Sequence, residues 1–257
     1  MSSPRGWLVL DKPQGLSSNQ ALQQARRILG RPKAGHAGTL DPLASGVLPI
    51  AMGEATKALP YMLASDKAYA FTVRWGEETD TLDSEGQVTR SGGPIPEEAA
   101  IRQALPRFHG DVMQAPPAYS AIKVNGQRAY ALARQGQPVH PAARPVKIHA
   151  FSLTAHGPHG YSTFALSCGK GAYVRALARD FAGTLGTWAT VTMLRRTCAG
   201  PFTELQAVSL QSLAGHASPA SLLLPLSIAL DDILALEVTE PQEQALRQGK
   251  ALAFMAG

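Results

Sequence analysis

The strongest constraint on the fold is a two-residue period between residues 69 and 75. Large apolar side chains occupy every second position there: Tyr69, Phe71, Val73 and Trp75. Because successive side chains of a strand point to opposite faces, this pattern predicts a β-strand with one face in the core. Residues 145–155 and 161–168 are predicted to form two further strands that pair with each other. A sheet therefore organises the chain.

Strands and helices alternate along the rest of the sequence. The remaining strands are predicted at residues 7–10, 47–52 and 187–197, and helices after Ser17 or Ser18 and at residues 96–105, 173–185 and 241–248. The Gly- and Pro-rich stretch 31–46 is predicted to be a loop, Asn125-Gly126 a hairpin turn, and the chain beyond Pro219 helical. This mixture predicts an α+β fold with a mixed, largely antiparallel central sheet flanked by helices.

Composition narrows the class of protein. Hydrophobic residues make up 45% of the 257 residues and charged residues 17%, which excludes a disordered chain. No run approaches the roughly 18–20 apolar residues that a membrane helix needs, and the first residues carry no secretory pattern. Two cysteines, Cys168 and Cys198, are too few for a disulfide framework. We therefore expect a cytoplasmic protein.

The net charge of +5 is concentrated in blocks. Residues 102–150 carry seven basic side chains against Asp111 alone, whereas residues 58–101 carry eight acidic side chains against three basic ones. Basic blocks of this kind suit a polyanion such as nucleic acid. They also suit an ordinary solvated surface, and charge alone does not separate the two interpretations.

The most unusual segment is residues 35–49, Gly-His-Ala-Gly-Thr-Leu-Asp-Pro-Leu-Ala-Ser-Gly-Val-Leu-Pro. It places a single carboxylate, Asp41, among glycines that let a backbone approach a ligand closely. Pro42 restricts Asp41 to an extended backbone. A carboxylate held in this way can act as a nucleophile or a general base, although Asp-Pro also occurs in simple turns.

This segment, together with Gly-Glu-Ala-Thr-Lys at 53–57, resembles the catalytic motif of the TruB family of tRNA pseudouridine synthases, bacterial type. Other motifs of that family follow the same order along the chain, at residues 7–18, 67–86, 116–136, 168–175 and 194–196. The resemblance extends from about residue 7 to residue 202. It implies the pseudouridine synthase fold.

The resemblance also implies a domain organisation. Residues 1–230 are expected to form the catalytic domain, with an RNA-gripping insertion at about 105–150. Residues 231–257 are expected to be a short remnant, or the start, of a C-terminal PUA-like module, which binds RNA in this family.

The activity implied by the resemblance is the isomerisation of uridine-55 in the T arm of tRNA to pseudouridine. The N1–C1′ bond breaks, the uracil rotates and C5 bonds to C1′, so the reaction needs neither a metal nor a redox cofactor. Attack by Asp41 at C1′, attack at C6 and removal of a C2′ proton to give a glycal all stay open. We expect tRNA as the partner, no obligatory protein partner and a monomer.

Three residues match catalytic positions of the family. Asp41 matches the nucleophile, and Arg175 matches the arginine that pairs with this carboxylate and keeps it ionised. Tyr69 matches the tyrosine that stacks on the flipped base and helps to remove the C5 proton. The residues alone leave other roles open, since Tyr69 also continues an apolar face and Arg175 could contact a phosphate.

Further matches imply substrate contacts. His36 is expected to replace the flipped nucleotide in the RNA loop, Tyr173 and Leu194 to shape the pocket, and Lys12 to support its floor. Three basic residues of the insertion are expected to contact phosphates: Lys123, Arg128 and Arg134.

Two alternatives differ in what the protein does with RNA. A tRNA-folding chaperone would bind tRNA without needing catalysis, and a guide-RNA-dependent pseudouridine synthase would run the same chemistry on other RNAs. The second alternative normally requires a full PUA domain and partner surfaces, for which this chain has little room.

Overall fold

The computed structural model describes residues 4–124, 126–231, 233 and 236–252. The strands of this part of the chain are β1 Gly6–Lys12, β2 Ala34–His36, β3 Ser45–Met52, β4 Lys67–Trp75, β5 Glu78–Thr79, β6 Val88–Arg90, β7 Gly110–Gln114, β8 Lys123–Val124, β9 Gln127–Arg128, β10 Arg144–His156, β11 Tyr161–Cys168, β12 Ala189–Ala199 and β13 Phe202–Thr203. The helices are α1 Ser18–Ile28, α2 Leu59–Ala64, α3 Glu98–Ala104, α4 Ala129–Arg134, α5 Val174–Thr184, α6 Leu210–Gly215 and α7 Glu240–Arg247. None of these helices has the length and apolar character needed to cross a membrane.

One sheet forms the centre of the molecule. Its strand order is β1-β3-β12-β4-β11-β10-β7, with β2 attached to β3 and β13 to β12. All of its pairings are antiparallel except that of β3 with β12, where Ser45 lies opposite Arg195 and Gly46 opposite Arg196. The predicted α+β class with a mixed, largely antiparallel sheet is confirmed.

An aromatic cluster fixes α5 against the sheet. Phe71 of β4 and Phe164 of β11 are register partners, and their ring centroids lie 5.3 Å apart. Phe181 of α5 packs edge-on against Phe164 at 5.8 Å. Because these side chains are fully buried, each contributes about 1.5–3 kcal/mol by leaving water. This packing sets the position of the first turn of α5, which carries Arg175.

The short strand β2 was not expected, because residues 31–46 are rich in glycine and proline. Ala34 pairs with Met52 and His36 with Ile50, so β2 extends the sheet beside β3. The available edge of β3 supplies these backbone hydrogen bonds, and this tertiary condition leaves no local sequence signal.

The prediction of helix beyond Pro219 is only partly right: the helix expected at residues 241–248 is α7, but no continuous helix precedes it in the described residues. The chain there forms two short 3-10 segments, Pro219–Leu222 and Leu226–Leu230, before α7. Between them Leu224 pairs with Trp7 of β1 through two backbone hydrogen bonds of 2.8 Å. Pro225 lacks a donor N–H and would interrupt a continuous helix, so the backbone is satisfied by β1 instead.

The stretch expected to carry an RNA-gripping insertion only partly leaves the sheet. β7 and the start of β10 pair within the sheet, so residues 115–143 form the excursion between them. This excursion contains the β8–β9 hairpin and α4. Asn125 of the predicted turn lies outside the described residues, and its neighbour Gly126 has a φ of +83°.

The parallel contact between β3 and β12 generates a stability prediction. Gly46 has a φ of +98°, and a Cβ atom there would lie 2.2 Å from the carbonyl oxygen of Arg196. Gly46→Ala should therefore lower the free energy of unfolding by about 2–5 kcal/mol, measured by urea denaturation. Gly92→Ala is the matched control, since Gly92 has a φ of +79° with open space around it and should cost only about 1 kcal/mol. Equal losses would contradict this close contact.

Candidate active site

The loop between β2 and β3 carries Asp41, and two buried side chains hold it in place. The Ser18 hydroxyl donates to the Leu40 carbonyl at 3.0 Å and accepts from the Leu40 N–H at 2.7 Å. The Lys12 ammonium donates to the carbonyls of Pro13, Leu16 and Pro42 at 2.9, 2.5 and 3.4 Å. These contacts fix the backbone on both sides of Asp41.

Arg175 is the principal partner of Asp41. Its Nε donates to Asp41 Oδ2 at 2.9 Å, and a terminal guanidinium nitrogen lies 2.9 Å from the same oxygen. The terminal nitrogens also donate to the carbonyls of Thr81 at 2.6 Å and Tyr119 at 3.0 Å. The arginine side chain is 4% exposed, whereas that of Asp41 is 33% exposed and can meet a ligand.

A second carboxylate, Asp83, lies behind this pair. Its Oδ2 is 3.5 Å from Arg175 Nε, and its side chain is almost fully buried. Its Oδ1 accepts hydrogen bonds from the Thr81 hydroxyl at 2.6 Å and the Glu85 N–H at 3.1 Å. The Arg175 guanidinium thus lies close to two carboxylates, so its positive charge is shared between Asp41 and Asp83.

This arrangement changes the basicity of Asp41. Burial raises the pKa of its carboxyl group above the ordinary value, Arg175 opposes the rise, and the charge of Asp83 adds to it. A carboxylate that is oriented by an arginine yet more basic than an exposed aspartate suits nucleophilic attack or proton abstraction.

Asp41 lies in the wall of a pocket of about 250 Å³. Four of the residues singled out from the sequence line it: Asp41, Tyr69, Tyr173 and Leu194. Arg175 lines a neighbouring cavity of about 260 Å³, which shares Asp41 with the first. The structure therefore places the arginine behind the carboxylate and leaves the other face of Asp41 to the pocket.

Tyr69 belongs both to the core and to the pocket. In β4 it is the register partner of Leu166 in β11 and of Arg196 in β12. Its ring packs against the same core as Phe71 and also lines the pocket. Burial raises the pKa of its phenol, and the nearby Arg196 guanidinium opposes that rise. The structural and the functional interpretation of this residue are compatible.

Tyr173 stands at the entrance to α5, where its backbone N–H donates to Gln114 Oε1 at 2.7 Å. The Arg144 guanidinium lies over its ring, 5.9 Å from the centroid, and donates to the Gly171 carbonyl at 3.1 Å. Arg144 also lines the pocket, which the sequence indicated only through the charge of the 102–150 block.

His36 and Lys12 lie close to the loop but not in the pocket wall. The His36 Nδ1 is buried without a hydrogen-bond partner in the described part of the chain, and burial lowers the pKa of its ring. Lys12 is fully buried. Its ammonium has no surface from which to contact a substrate, so the structure places it in the floor beneath the loop and not among substrate contacts.

The three basic residues of the excursion differ in their placement. Lys123 and Arg128 are exposed on the β8–β9 hairpin, where Arg128 donates to the Ala121 carbonyl. Arg134 of α4 lies over the Tyr130 ring, 5.7 Å from its centroid, and lines the cavity behind Asp41. The structure brings Arg134 to the site and leaves the other two at the surface around it.

Two further pocket residues were missed as site residues. Lys67 donates to the carbonyls of Met62 and Leu63 at 3.2 and 3.0 Å, and burial lowers the pKa of its ammonium to about 8. Arg196 is 1% exposed and lines the same pocket. In the sequence, these two residues were marked only by their proximity to Tyr69 and Leu194 within a motif. Their hydrogen-bond partners are backbone carbonyls, which every residue type has, so the sequence does not reveal the contacts.

Comparison with known families gives two matches. The model described as the TruB family pseudouridylate synthase N-terminal domain matches residues 26–174. The model described as the tRNA pseudouridylate synthase B C-terminal domain matches residues 175–235. The division between them falls beside Arg175 in α5, so the two matches meet at the candidate site.

Relatives in other organisms match along most of the chain. The tRNA pseudouridine synthase B of Rhodopseudomonas palustris is 51% identical over 255 residues, which cover 96% of this chain and 70% of that protein. The tRNA pseudouridine synthase B of Nitrobacter winogradskyi is 49% identical, with coverage of 96% and 71%.

Solved structures share the fold at lower identity. A chain in the crystal structure of a Cbf5-Nop10-Gar1 complex matches with a TM-score of 0.69 and 27% identity, covering 88% of this chain. A chain in the archaeal box H/ACA sRNP Nop10-Cbf5 complex matches with a TM-score of 0.67 and 25% identity, covering 89%. This chain spans 61% and 62% of those two chains.

The buried ammonium of Lys12 makes stability depend on pH. Burial lowers its pKa from 10.5 to about 8, so between these values the unfolded chain holds a proton that the folded chain has lost. Stability from this group therefore rises as the pH increases through that window. The free energy of unfolding can be measured for the wild type and for Lys12→Met by urea denaturation. The wild-type value minus the variant value should rise by about 3 kcal/mol between pH 7.5 and 10.5. A constant difference would contradict the burial of a charged Lys12.

Proposed function

The chain belongs to the TruB family of pseudouridylate synthases, and we propose that it isomerises uridine-55 in the T arm of tRNA to pseudouridine. Family membership makes it an isomerase of the tRNA-modifying class. The finer proposal concerns the nucleotide, its removal from the RNA stack and the chemical role of Asp41. The proposed enzyme acts in the cytoplasm, as a monomer without an obligatory protein partner.

The observation that carries the proposal is the Asp41–Arg175 pair beside a pocket that Tyr69 also lines. Reaction at a nucleoside requires a carboxylate near the ribose and a surface for the uracil. A base removed from a stack gains about 1–3 kcal/mol from an aromatic face, which Tyr69 or Tyr173 offers here. Arg175 approaches Asp41 from the neighbouring cavity and therefore leaves the pocket free for the nucleotide.

The bond changes follow from the product. Asp41 attacks C1′ or C6, or removes a proton from C2′, and the N1–C1′ bond breaks with its electron pair moving to the base. After rotation of the uracil, C5 bonds to C1′, the bond from Asp41 to C1′ or C6 breaks or the proton taken from C2′ returns to that carbon, C5 releases its proton and N1 takes one up. Asp41 is regenerated and the overall change is an isomerisation. Tyr69 lines the pocket, and its phenol oxygen can take the C5 proton only as its own proton passes to water.

The excursion 115–143 is proposed to grip the RNA. Lys123 and Arg128 are exposed on its hairpin, and Arg134 extends from α4 toward the cavity behind Asp41. Basic side chains at the rim of a nucleotide pocket position the RNA through its phosphates. His36, at the end of β2, is proposed to occupy the gap that the flipped uridine leaves.

Two observations favour this function over the guide-RNA-dependent alternative. The chain is about half identical to relatives called tRNA pseudouridine synthase B, against 27% to a chain in the structure of a Cbf5-Nop10-Gar1 complex. The chaperone alternative is compatible with the same enzyme, since the basic side chains proposed to grip the RNA differ from the carboxylate proposed to react.

Release of tritium from C5 of uridine in unmodified tRNA tests the chemistry directly. Wild-type protein should release the label into water, and Asp41→Asn should slow release by more than about 1000-fold while it still binds tRNA. Arg102→Gln is a suitable control, because Arg102 is exposed and paired with Glu98 away from the pocket. Absence of release by the wild type under binding conditions would refute the proposed function. Retention of tRNA refolding by Asp41→Asn would show that a chaperone activity is separable.

The RNA-gripping role predicts a change in salt dependence. The triple variant Lys123→Gln, Arg128→Gln, Arg134→Gln should bind tRNA more weakly, and the slope of log affinity against log salt should fall by about 0.7–0.9 for each phosphate that the variant no longer neutralises. The matched control neutralises three arginines that lie outside the excursion and pair with glutamates: Arg74, Arg90 and Arg102. The same slope in the triple variant and the wild type would place this surface away from the RNA.

A further inference from the structure

Arg196 is a buried cation at the junction of three strands. It lies in β12, in register with Gly46 of β3 on one side and Tyr69 of β4 on the other. Its side chain is 1% exposed, and its guanidinium lines the pocket together with Asp41 and Tyr69. None of the bond changes of the proposed reaction uses this group.

The guanidinium joins the two ends of the loop that carries Asp41. Its Nε donates to the Val47 carbonyl at 2.7 Å, and a terminal nitrogen donates to the Gly38 carbonyl at 3.1 Å. Asp41 lies between these two anchors. A planar fork of donors suits this bridge, because both hydrogen bonds come from one rigid group.

At two glycines of the loop, a larger side chain would press against this arginine. A Cβ atom at Gly38 would lie 3.2 Å from Arg196 Nη1, and one at Gly46 would lie 2.2 Å from the Arg196 carbonyl oxygen. The loop therefore approaches the side chain at one end and the backbone at the other.

The charge of Arg196 is not used to form an ion pair. Its neighbour Arg195 binds Asp11 and Glu204, and Arg175 binds Asp41 and Asp83, but no salt bridge joins Arg196 to a carboxylate in the part of the chain that the structure describes. Burying a cation with carbonyl partners alone is costly, and apolar residues of similar size often stabilise such sites better. A purely structural role is therefore a weak explanation for this residue.

We propose that Arg196 is a positioning residue for the chemical step, which holds Asp41 through the ends of its loop and orients the Tyr69 hydroxyl toward the base. The proposal rests on the proposed function. It adds Arg196 as a residue that acts through Asp41 and Tyr69. Arg196 and Tyr69 are register partners that line the same pocket, and the guanidinium opposes the effect of burial on the pKa of the Tyr69 phenol.

The first test compares Arg196→Lys with Arg195→Lys. Lysine keeps the charge at position 196 but cannot bridge two carbonyls as a planar fork. Arg196→Lys should lower the single-turnover rate of tritium release by about 100-fold, the order that a small displacement of reacting groups produces. The dissociation constant for tRNA should change by less than about threefold. Arg195→Lys, on the same strand but outside the pocket lining, should retain the wild-type rate.

The second test asks whether Arg196 acts through Tyr69. Tyr69→Phe removes the hydroxyl and keeps the ring. If the arginine orients that hydroxyl, the two substitutions should not act independently. The rate of the double variant Arg196→Lys, Tyr69→Phe should then be at least about tenfold higher than the rate expected from multiplying the two single-variant rate reductions. Fully multiplicative effects would overturn the coupling to Tyr69. A residue with a merely structural role would not distinguish tyrosine from phenylalanine.

Folding and function are separated by two further measurements. Near-ultraviolet circular dichroism and the melting temperature report whether Arg196→Lys folds. Gly38→Ala tests the same contact without removing the arginine, since its Cβ would lie 3.2 Å from Arg196 Nη1; its φ of +83° adds a backbone cost of about 1 kcal/mol, for which Gly92→Ala is the control. Gly38→Ala should slow release with unchanged tRNA affinity. A rate within about threefold of the wild type in Arg196→Lys, or a parallel loss of rate and affinity, would overturn the proposal. Absence of release by the wild type would instead refute the proposed function.

Discussion

The site depends on one buried guanidinium. Arg175 binds Asp41 of the β2–β3 loop, Asp83 and the Thr81 carbonyl of the turn after β5, and the Tyr119 carbonyl of the excursion. These segments are far apart in sequence and share few other polar contacts. Removal of one partner from a buried pair costs about 3–5 kcal/mol, and loss of this side chain would leave the buried Asp83 carboxylate without its cation.

The sheet and the aromatic core explain why Arg175 can serve as this anchor. Phe181 fixes α5 against Phe164 of β11, and the arginine projects from the first turn of the same helix. The parallel pairing of β3 with β12 brings the end of the Asp41 loop beside Arg196. Two arginines thus hold one loop at different points, Arg175 at the carboxylate and Arg196 at the loop ends.

The sequence predicted correctly those elements whose local residue pattern also reflects their place in the fold. The period of residues 69–75 predicted β4, and the residues around Asp41 indicated a ligand-binding loop whose carboxylate does line a pocket. The family resemblance supplied Arg175, because nothing in the spacing of residues 41 and 175 indicates that they meet.

Features set by distant backbone partners could not be predicted in this way. β2 exists because β3 offers an edge, and the segment around Leu224 is extended because β1 accepts it. The pocket role of Arg196 was missed for the same reason, since its partners are carbonyls and any residue type supplies a carbonyl. Burial of Lys12 likewise depends on three carbonyls that converge only in the fold.

A crystal structure of the Asp41→Asn protein bound to an unmodified T-arm stem-loop tests the central claim most directly. We expect the target uridine outside the RNA stack, with its base against Tyr69 and its C1′, C2′ or C6 within about 3–3.5 Å of the residue 41 side chain. A target base still stacked in the RNA loop, or a ribose and base more than about 6 Å from that side chain, would contradict the proposed role of Asp41.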